Sequence, residues 1–355
     1  MGSYGGNNIV FTVKGTPPVS FGAPEPLIKQ ALEKWWNPGK QHGLGPGNRY
    51  PGQHVYNFAS MINSATTEIG CSYKVCGTDR DSERKMEILC LYDDVAYMTG
   101  RILYDNGKAC TKSEDCTTYR GSKCENGLCV KPKEEPDTGA NNMCPRSSGM
   151  TDKTRKTILN LHNHFRSLVA RGKAEDKLIK NGFTPEGASM LKMKYDCELE
   201  KIASNYASKC VYAHSDPNTR TLKGKQAGEN LFTVSIPDAE KSKTGDWATR
   251  GWFSELKEFG VGSTNLLTES LWKRPGTQIG HYTQVVWGTT SRIGCGVQNC
   301  WNQTLVVCNY LEGGNVIDRN QPRQIYEVGP ACSKCPNGYS CDKDKLCVKP
   351  KSKRV

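Results

Sequence analysis

The cysteines of this chain fall into two series with matching spacing, and this repeat limits the possible folds more than any other feature. The chain of 355 residues has 17 cysteines. The sequence LCVKPK occurs at 128–133 and again at 346–351, and a tight cysteine group precedes each copy. Two further cysteines with identical spacing lie in each half, at Cys71 and Cys76 and at Cys295 and Cys300. The pattern predicts an internal repeat held together by disulfides.

The two series contain different numbers of cysteines. The second series has ten, an even number, whereas the first has seven. Because an odd number cannot pair completely, at least one cysteine of the first half is unpaired or pairs outside that half. Counterparts of Cys144, Cys197 and Cys210 fall before residue 1, so we expect the first repeat to lack its N-terminal part.

A stretch of acidic residues with proline and glycine separates the repeats, and it shows no apolar periodicity, as is typical of a linker. We therefore predict five segments. They are a partial and degenerate domain at 1–108, a cysteine-rich tail at 109–133, a linker at 134–150, a complete domain at 151–330 and a second cysteine-rich tail at 331–355.

The second half of the chain shows helical periodicity first and strand patterns later. We predict a helix capped by Thr151 or Asp152, and further helices around 196–209 and 244–256. The predicted strands are 283–286, 293–297 and 305–310. Helices followed by a short sheet favour a layered α+β domain over a series of βαβ units.

The cysteine content is typical of a protein from an oxidising compartment. Asn302-Gln303-Thr304 is a glycosylation acceptor, which points the same way. The first residues contain no signal peptide, so we expect a secreted, extracellular protein whose export signal is cleaved, replaced or lost. No apolar run approaches the ~20 residues of a membrane span.

The formal net charge of +12 raises the question of a nucleic-acid partner. The lysines and arginines are scattered, however, and no basic stripe is interleaved with aromatic residues. We therefore exclude nucleic-acid binding, and we expect at most a weak attraction to acidic glycans or anionic membrane surfaces.

Four residues of the second repeat are candidates for chemistry: His214, Glu229, Glu255 and His281, the last at the start of a predicted strand. Two imidazoles with two carboxylates can form a divalent-metal site, in which the carboxylates orient the histidines. The same set can act as a base with an orienting acid. Spacing alone does not show that these four side chains lie together in the fold. In addition, a lone histidine beside a helix end is more often a structural residue than a ligand.

Several motifs of the second repeat resemble those of the CAP superfamily of cysteine-rich secretory, antigen-5 and pathogenesis-related-1 proteins. The sequences GHYTQVVW at 280–287 and VCNYLEGGNV at 307–316 are similar to its two signature motifs. Its other marks are matched by 228–230, by Trp252 with Glu255, and by His162, Asn163 and Arg166. Two repeats, each with a cysteine-rich tail, resemble the double-domain activation-associated (Ancylostoma-type) secreted proteins of parasitic nematodes.

This resemblance implies an α-β-α sandwich with a central cleft lined by the four candidate residues. In such a cleft, His214 and His281 would bind zinc or another divalent cation, with Glu229 and Glu255 supporting them. It also implies a binding protein at the parasite–host interface, acting in immune modulation or in sterol or lipid binding. The expected partner is a host protein or cell-surface receptor, or a sterol or other lipid.

Two alternatives remain open from the sequence. The first is a metal-dependent or acid–base hydrolase, with Glu229 and Glu255 as the catalytic candidates. Two histidines are fewer than the three protein ligands that catalytic zinc usually keeps, which favours a binding role over an enzyme. The second alternative makes the cysteine tails the active modules, as small disulfide-rich domains that block receptors or channels.

The first repeat departs from the motif at each candidate position. Aligning the Gly-Cys pairs of the two halves places Asn57 opposite His281. Aligning Asn7-Asn8 with Glu229-Asn230 places Asn7 opposite Glu229, and aligning Trp36 with Trp252 places Gly39 opposite Glu255. An amide has neither a basic ring nitrogen nor a negative charge, so we expect this half not to bind metal. We interpret its histidines, His42 and His54, as surface or loop residues.

Overall fold

A computed structural model describes residues 5–78, 80–94, 101–147, 149–180, 182–318 and 321–350 of the chain. The chain divides into two compact units. The first comprises residues 3–134, and the second comprises 135–355 together with 1–2. The finer boundaries at 108, 150 and 330 stay predictions.

The first unit is a three-stranded antiparallel sheet with one long helix on one face. In chain order its elements are β1 (Gly5–Lys14), α1 (Glu25–His42), α2 (Tyr56–Ile62), β2 (Ile69–Cys76), β3 (Glu83–Tyr92), β4 (Lys123–Glu125) and β5 (Leu128–Val130). The sheet order is β1-β3-β2, and the cysteine-rich tail forms the hairpin β4-β5.

From Lys85 to Tyr92, strand β3 alternates between exposed and buried residues, which is the pattern of a sheet with one covered face. Its buried residues, among them Ile88 and Tyr92, pack with Ala31 and Trp35 of α1. On the other face, Leu89 is 37% exposed and no described helix covers it. The first unit therefore presents one open sheet face within the described residues.

The second unit contains the larger set of elements. In chain order they are α3 (Asp152–Ala170), β6 (Lys194–Tyr195), α4 (Cys197–Ala207), β7 (Thr221–Leu222), β8 (Lys225–Gln226), β9 (Gly228–Val234), α5 (Lys241–Glu258), β10 (Leu266–Leu267), α6 (Glu269–Trp272), α7 (Gly280–Val286), β11 (Arg292–Asn299), β12 (Thr304–Leu311), β13 (Arg323–Gln324), β14 (Ser340–Cys341) and β15 (Cys347–Val348).

A four-stranded sheet in the order β6-β11-β12-β9 forms the middle layer of the second unit. Helices α3, α5 and α7 pack on one face around the main apolar core, and α4 packs on the other. Every residue of β12 is buried, as is typical of a strand covered on both sides. This arrangement confirms the predicted α-β-α sandwich.

The close approach of α4 to the sheet depends on glycine. A Cβ atom on Gly294 of β11 would collide with the backbone nitrogen of Glu200 in α4. The corresponding Gly70 of β2, in the first unit, has no atom within 4 Å of the same position. Both halves thus have a glycine at this position, but a helix packs directly against it only in the second unit.

The three predicted helices of the second half are confirmed, and one predicted strand is wrong. Helix α3 is capped by Thr151, whose hydroxyl accepts a hydrogen bond from the Thr154 amide. Residues 283–286 belong to helix α7 and not to a strand, so His281 lies in the first turn of a helix. Most residues of α7 are buried, and its buried apolar residues belong to the main core. The sequence of this short helix therefore lacks the alternation of apolar and polar residues that reveals a helix.

Sixteen of the 17 cysteines form disulfides. The pairs are Cys71–Cys90, Cys110–Cys124, Cys116–Cys129, Cys144–Cys197, Cys210–Cys300, Cys295–Cys308, Cys332–Cys341 and Cys335–Cys347. Cys76 is the free one, and it is exposed at the end of β2. Cys76 corresponds to Cys300 of the second unit. Because the first series has seven cysteines, one of them had to remain without a partner in that half.

The second cysteine-rich tail is packed into the body of its unit. Leu346 is fully buried in the main core, and the Cys347 amide donates to the carbonyl of Met190. Lys192 forms ion pairs with Asp342 at 2.6 Å and Asp344 at 3.0 Å. These contacts make the tail part of the same hydrophobic core. Across the described residues, no helix combines the length and hydrophobicity that crossing a membrane requires.

The free thiol gives a direct test of the disulfide pattern. Native protein is expected to take up one equivalent of a maleimide reagent, because Cys76 is exposed and the other cysteines are paired. The Cys76→Ser variant should take up none, as measured by intact mass. Uptake of two or more equivalents by the native protein would contradict the pairing.

The two equivalent glycines form a matched pair of variants. Gly294→Ala is expected to destabilise the second unit by about 3 kcal/mol, the upper end of ordinary overpacking, because the new methyl meets helix backbone. Gly70→Ala should change stability by no more than about 0.5 kcal/mol, since its methyl enters open space. Urea unfolding of the full chain measures both, and equal effects would rule out the helix contact as the cause.

Candidate functional site

His281 and Glu255 form a buried pair between two helices. His281 lies in the first turn of α7, and its Nδ1–H donates to Oε1 of Glu255 on α5 at 2.6 Å. The other oxygen of Glu255 accepts from the Tyr282 amide at 2.9 Å. Burial raises the pKa of Glu255, and the hydrogen bonds from His281 and Tyr282 only partly oppose this. The indole of Trp252 stacks on the His281 ring with centroids 6.1 Å apart.

His214 and Glu229 form the second pair, at the start of strand β9. Nδ1 of His214 donates to Oε1 of Glu229 at 3.0 Å. Ser215 donates to the same carboxylate twice, from its amide at 2.8 Å and from its hydroxyl at 2.7 Å. The carboxylate of Glu229 is buried, whereas the His214 side chain is 61% exposed.

The surroundings shift the pKa of Glu229 and the pKa of Glu255 in opposite directions. Burial favours the neutral acid at both positions. At Glu229, the hydrogen bonds from His214 and Ser215 and the nearby positive charge of Arg220 outweigh burial and lower the pKa. Arg220 lies 3.4 Å from Oε1 of Glu229. Glu229 is therefore held as a carboxylate near a guanidinium, whereas the pKa of Glu255 is raised.

Adjacent residues of β9 connect the two pairs. Glu229 binds His214, and the amide of Asn230 donates to the carbonyl of His281 at 3.1 Å.

A buried polar network that the sequence analysis did not predict lies beneath the His281 pair. The hydroxyl of Tyr310 contacts Nε2 of His162 at 2.9 Å and accepts from the Asn230 amide at 3.3 Å. Burial lowers the pKa of His162 to about 4, so this imidazole is neutral near pH 7. All three residues lie within the quoted motifs, which is the signal that could have identified them.

Each histidine of the site uses Nδ1 for a carboxylate. Neither Nε2 atom forms a hydrogen bond with the described residues, so both are available to another ligand. A carboxylate behind a histidine fixes its tautomer and orientation and raises its basicity, as at metal sites in general. The chemistry of each histidine is therefore compatible with binding a divalent cation through Nε2.

A third protein ligand does not join these two within the described residues. The groups of three potential ligands with atoms within 4.8 Å are Cys110 with Cys116 and Cys129, and Cys332 with Cys335 and Cys347. Those sulfurs belong to disulfides and are not metal ligands. The remaining coordination positions of a cation on the histidines would be filled by water or by a bound partner.

The motifs and the fold agree with a comparison against known families. The sequence profile of the cysteine-rich secretory protein family, abbreviated CAP, matches residues 3–92 and 159–310. The chain belongs to this family. It is 44% identical over 334 residues to the Ancylostoma secreted protein of Ancylostoma caninum, a match that covers 93% of this chain and 74% of that protein.

Two crystal structures of similar CAP proteins bear on the fold. Na-ASP-1 superposes with a TM-score of 0.73 at 41% identity, covering 98% of this chain and 82% of that one. NaASP2 with Zn2+ superposes with a TM-score of 0.52 at 44% identity, covering 58% of this chain and 100% of that one. The family predicted from the motifs and the presence of two CAP regions are confirmed.

Within the first CAP region, the predicted counterpart of Glu229 is wrong by one residue. The amide of Asn7 donates to the Asn57 carbonyl at 3.0 Å and to the Tyr92 hydroxyl at 3.1 Å. These are the contacts that Asn230 makes in the second CAP region, so Asn7 corresponds to Asn230. Strand register agrees, because each asparagine lies opposite a matching cysteine of the neighbouring strand. Gly6 therefore occupies the place of Glu229.

The counterpart of Glu255 is also shifted by one residue. Trp35 is 2% exposed, as is Trp252, whereas Trp36 is 40% exposed. This pairing puts Pro38 at the place of Glu255, where Gly39 was predicted. The conclusion for the first CAP region is unchanged, since glycine, proline and Asn57 replace both carboxylates and the imidazole.

The two histidines of the first CAP region lie outside helix α2, which carries Asn57. His42 ends helix α1, and His54 lies in the short 3-10 helix Gln53–Val55. Both are exposed, as predicted, and their rings meet edge to face with centroids 5.2 Å apart.

The lowered pKa of Glu229 predicts an acid-dependent contribution to stability. A carboxyl whose folded pKa lies below its usual 4.5 stabilises the fold above that pH and loses this effect as pH falls through the folded value. Ser215→Ala removes one of the hydrogen bonds that lower the pKa. The difference in unfolding free energy between the native protein and this variant should thus be largest above the usual pKa of 4.5 and shrink as the pH falls below it. Urea titrations at several pH values measure it, and a constant difference would contradict the assignment.

Proposed function

We propose that this protein is secreted and acts by binding at the interface between parasite and host. The partner is a host protein or cell-surface receptor, or a sterol or other lipid. The similarity to the Ancylostoma secreted protein supports the extracellular location, and the eight disulfides agree with an oxidising compartment.

We further propose that the second CAP region binds zinc or another divalent cation through Nε2 of His214 and of His281. The observation that carries this proposal is the pairing of each Nδ1 with a buried glutamate, which leaves each Nε2 available. The structure of NaASP2 with Zn2+ supports the choice of metal. When bound, such a cation supplies a Lewis-acidic centre with open positions for a ligand.

The chemistry around the site favours binding over hydrolysis. Ser215 adjoins His214 in sequence, but its hydroxyl donates to Glu229 and accepts from Arg220. The Ser254 hydroxyl bonds the Gly251 carbonyl and Glu258. A nucleophile needs a hydrogen bond to its base, and neither serine has one to a histidine among the described contacts. A metal-dependent or acid–base hydrolase using Glu229 and Glu255 remains the alternative.

A calorimetric zinc titration of the full chain tests the site. We expect saturable binding at one site in the native protein, and loss of that binding in His214→Ala/His281→Ala because both imidazole ligands are removed. The matched control is His42→Ala/His54→Ala, which removes two exposed histidines from the first CAP region and should leave the binding unchanged. Circular dichroism shows whether each variant is folded.

The outcomes separate the proposals. Binding that survives loss of His214 and His281, or that is lost with His42 and His54, contradicts the assigned site. If the site binds zinc and the loaded protein turns over ester or peptide substrates, the hydrolase alternative replaces the binding role. Lipid that is extracted from purified protein and is insensitive to His281→Ala would identify a lipid carrier with a separate binding surface.

A further inference from the structure

We propose that Asn302 carries an N-linked glycan, and that this glycan is attached before the disulfide Cys210–Cys300 closes. The inference rests on the proposed secretion of the chain. Asn302-Gln303-Thr304 is the one N-x-S/T sequence in the 355 residues. It lies in the connection between β11, which ends at Asn299, and β12, which begins at Thr304.

The acceptor asparagine is exposed at the tip of this connection. Its neighbour Trp301 is 86% exposed, a higher exposed fraction than that of any other large apolar residue in the described part of the chain. Sugar rings present apolar C–H faces that pack against indole rings. A glycan on Asn302 would therefore cover the apolar surface that Trp301 leaves in solvent.

The rest of the acceptor sequence is engaged once the domain has folded. Thr304 is fully buried, and its hydroxyl donates to the Ile236 carbonyl at 2.6 Å. Gln303 accepts from the Thr233 hydroxyl at 2.7 Å and donates to the Cys210 carbonyl at 3.2 Å. An oligosaccharide transferase must read the threonine hydroxyl of an extended acceptor, and here that hydroxyl is taken by the core. The folded domain is thus a poor acceptor, and transfer must occur on the unfolded chain.

The disulfide sets the time by which transfer must occur. Cys300 lies two residues before Asn302 and pairs with Cys210, 90 residues earlier in the chain. Its closure places Gln303 against Cys210 and fixes the start of β12. Glycan transfer and disulfide closure therefore compete for the same segment. If transfer is slow, more chains close the disulfide first and stay without a glycan.

The co-reactant is a polyprenyl-pyrophosphate-linked oligosaccharide of the secretory pathway. The bond between the first sugar's C1 and the phosphate oxygen breaks, and a bond from C1 to Nδ2 of Asn302 forms. The amide nitrogen gives up one proton, and the polyprenyl pyrophosphate leaves. No oxidant or reductant is consumed.

The test is expression of the full chain behind a cleavable export signal in insect cells, with cells and medium both analysed. We expect a mass increase that N-glycosidase removes. Asn302→Gln and Thr304→Ala should abolish it, whereas Thr304→Ser, which keeps a hydroxyl, should retain it at lower occupancy. An unmodified chain in the medium overturns the glycan inference but leaves the proposed secretion standing. A glycosylated chain retained in the cells supports the glycan and leaves the proposed secretion standing, because the export signal is supplied by the experiment.

The order of events is tested in the Thr304→Ser background, where transfer is slower. Adding Cys210→Ala/Cys300→Ala should raise the glycosylated fraction severalfold, because the competing closure is removed. The matched control is Cys332→Ala/Cys341→Ala, which removes a disulfide of the tail and should leave occupancy unchanged. Equal occupancy with and without Cys210 and Cys300 overturns the proposed order.

Discussion

One buried amide positions the helix that carries His281. The side chain of Asn230 donates to the His281 carbonyl and to the Tyr310 hydroxyl, which joins α7 to strands β9 and β12. A buried polar group that loses its partner costs about 1–3 kcal/mol, so α7 cannot slide along the sheet without a penalty. Asn7 makes the same two contacts in the first unit, where Asn57 has replaced the histidine. The network is therefore part of the fold itself, and the imidazole chemistry is an addition to it.

The sequence predicted the layered fold because its helices show clear periods and its motifs are specific. Helices α3, α4 and α5 each bury one face, and the caps at Thr151 and Asp196 mark two of their starts. Helix α7 was missed because five of its seven residues are buried. When the environment is apolar on most sides, the alternation between apolar and polar residues on which both helix and strand predictions rely is absent.

The four candidate residues of the second unit were found from motifs, but their partners were not, because contacts between distant segments leave no local pattern. Arg220 and Ser215, which set the charge of Glu229, are examples. In the first unit, both errors arose at doubled residues. Asn7-Asn8 and Trp35-Trp36 each allow two alignments that differ by one position. Only strand register and burial distinguish them, since a shift of one residue turns a strand side chain to the opposite face.

The repeated sequence LCVKPK shows how far context decides the environment of identical residues. Leu346 is fully buried in the second unit, where the tail packs into the core, whereas its counterpart Leu128 is 73% exposed in the first. Cys347 is buried and Cys129 is exposed in the same way. An antibody whose binding requires the leucine and cysteine side chains of this peptide would therefore recognise the first copy in the native protein and the second only after unfolding. One linear epitope would report the folding of one half of the chain, with the other half as its internal reference.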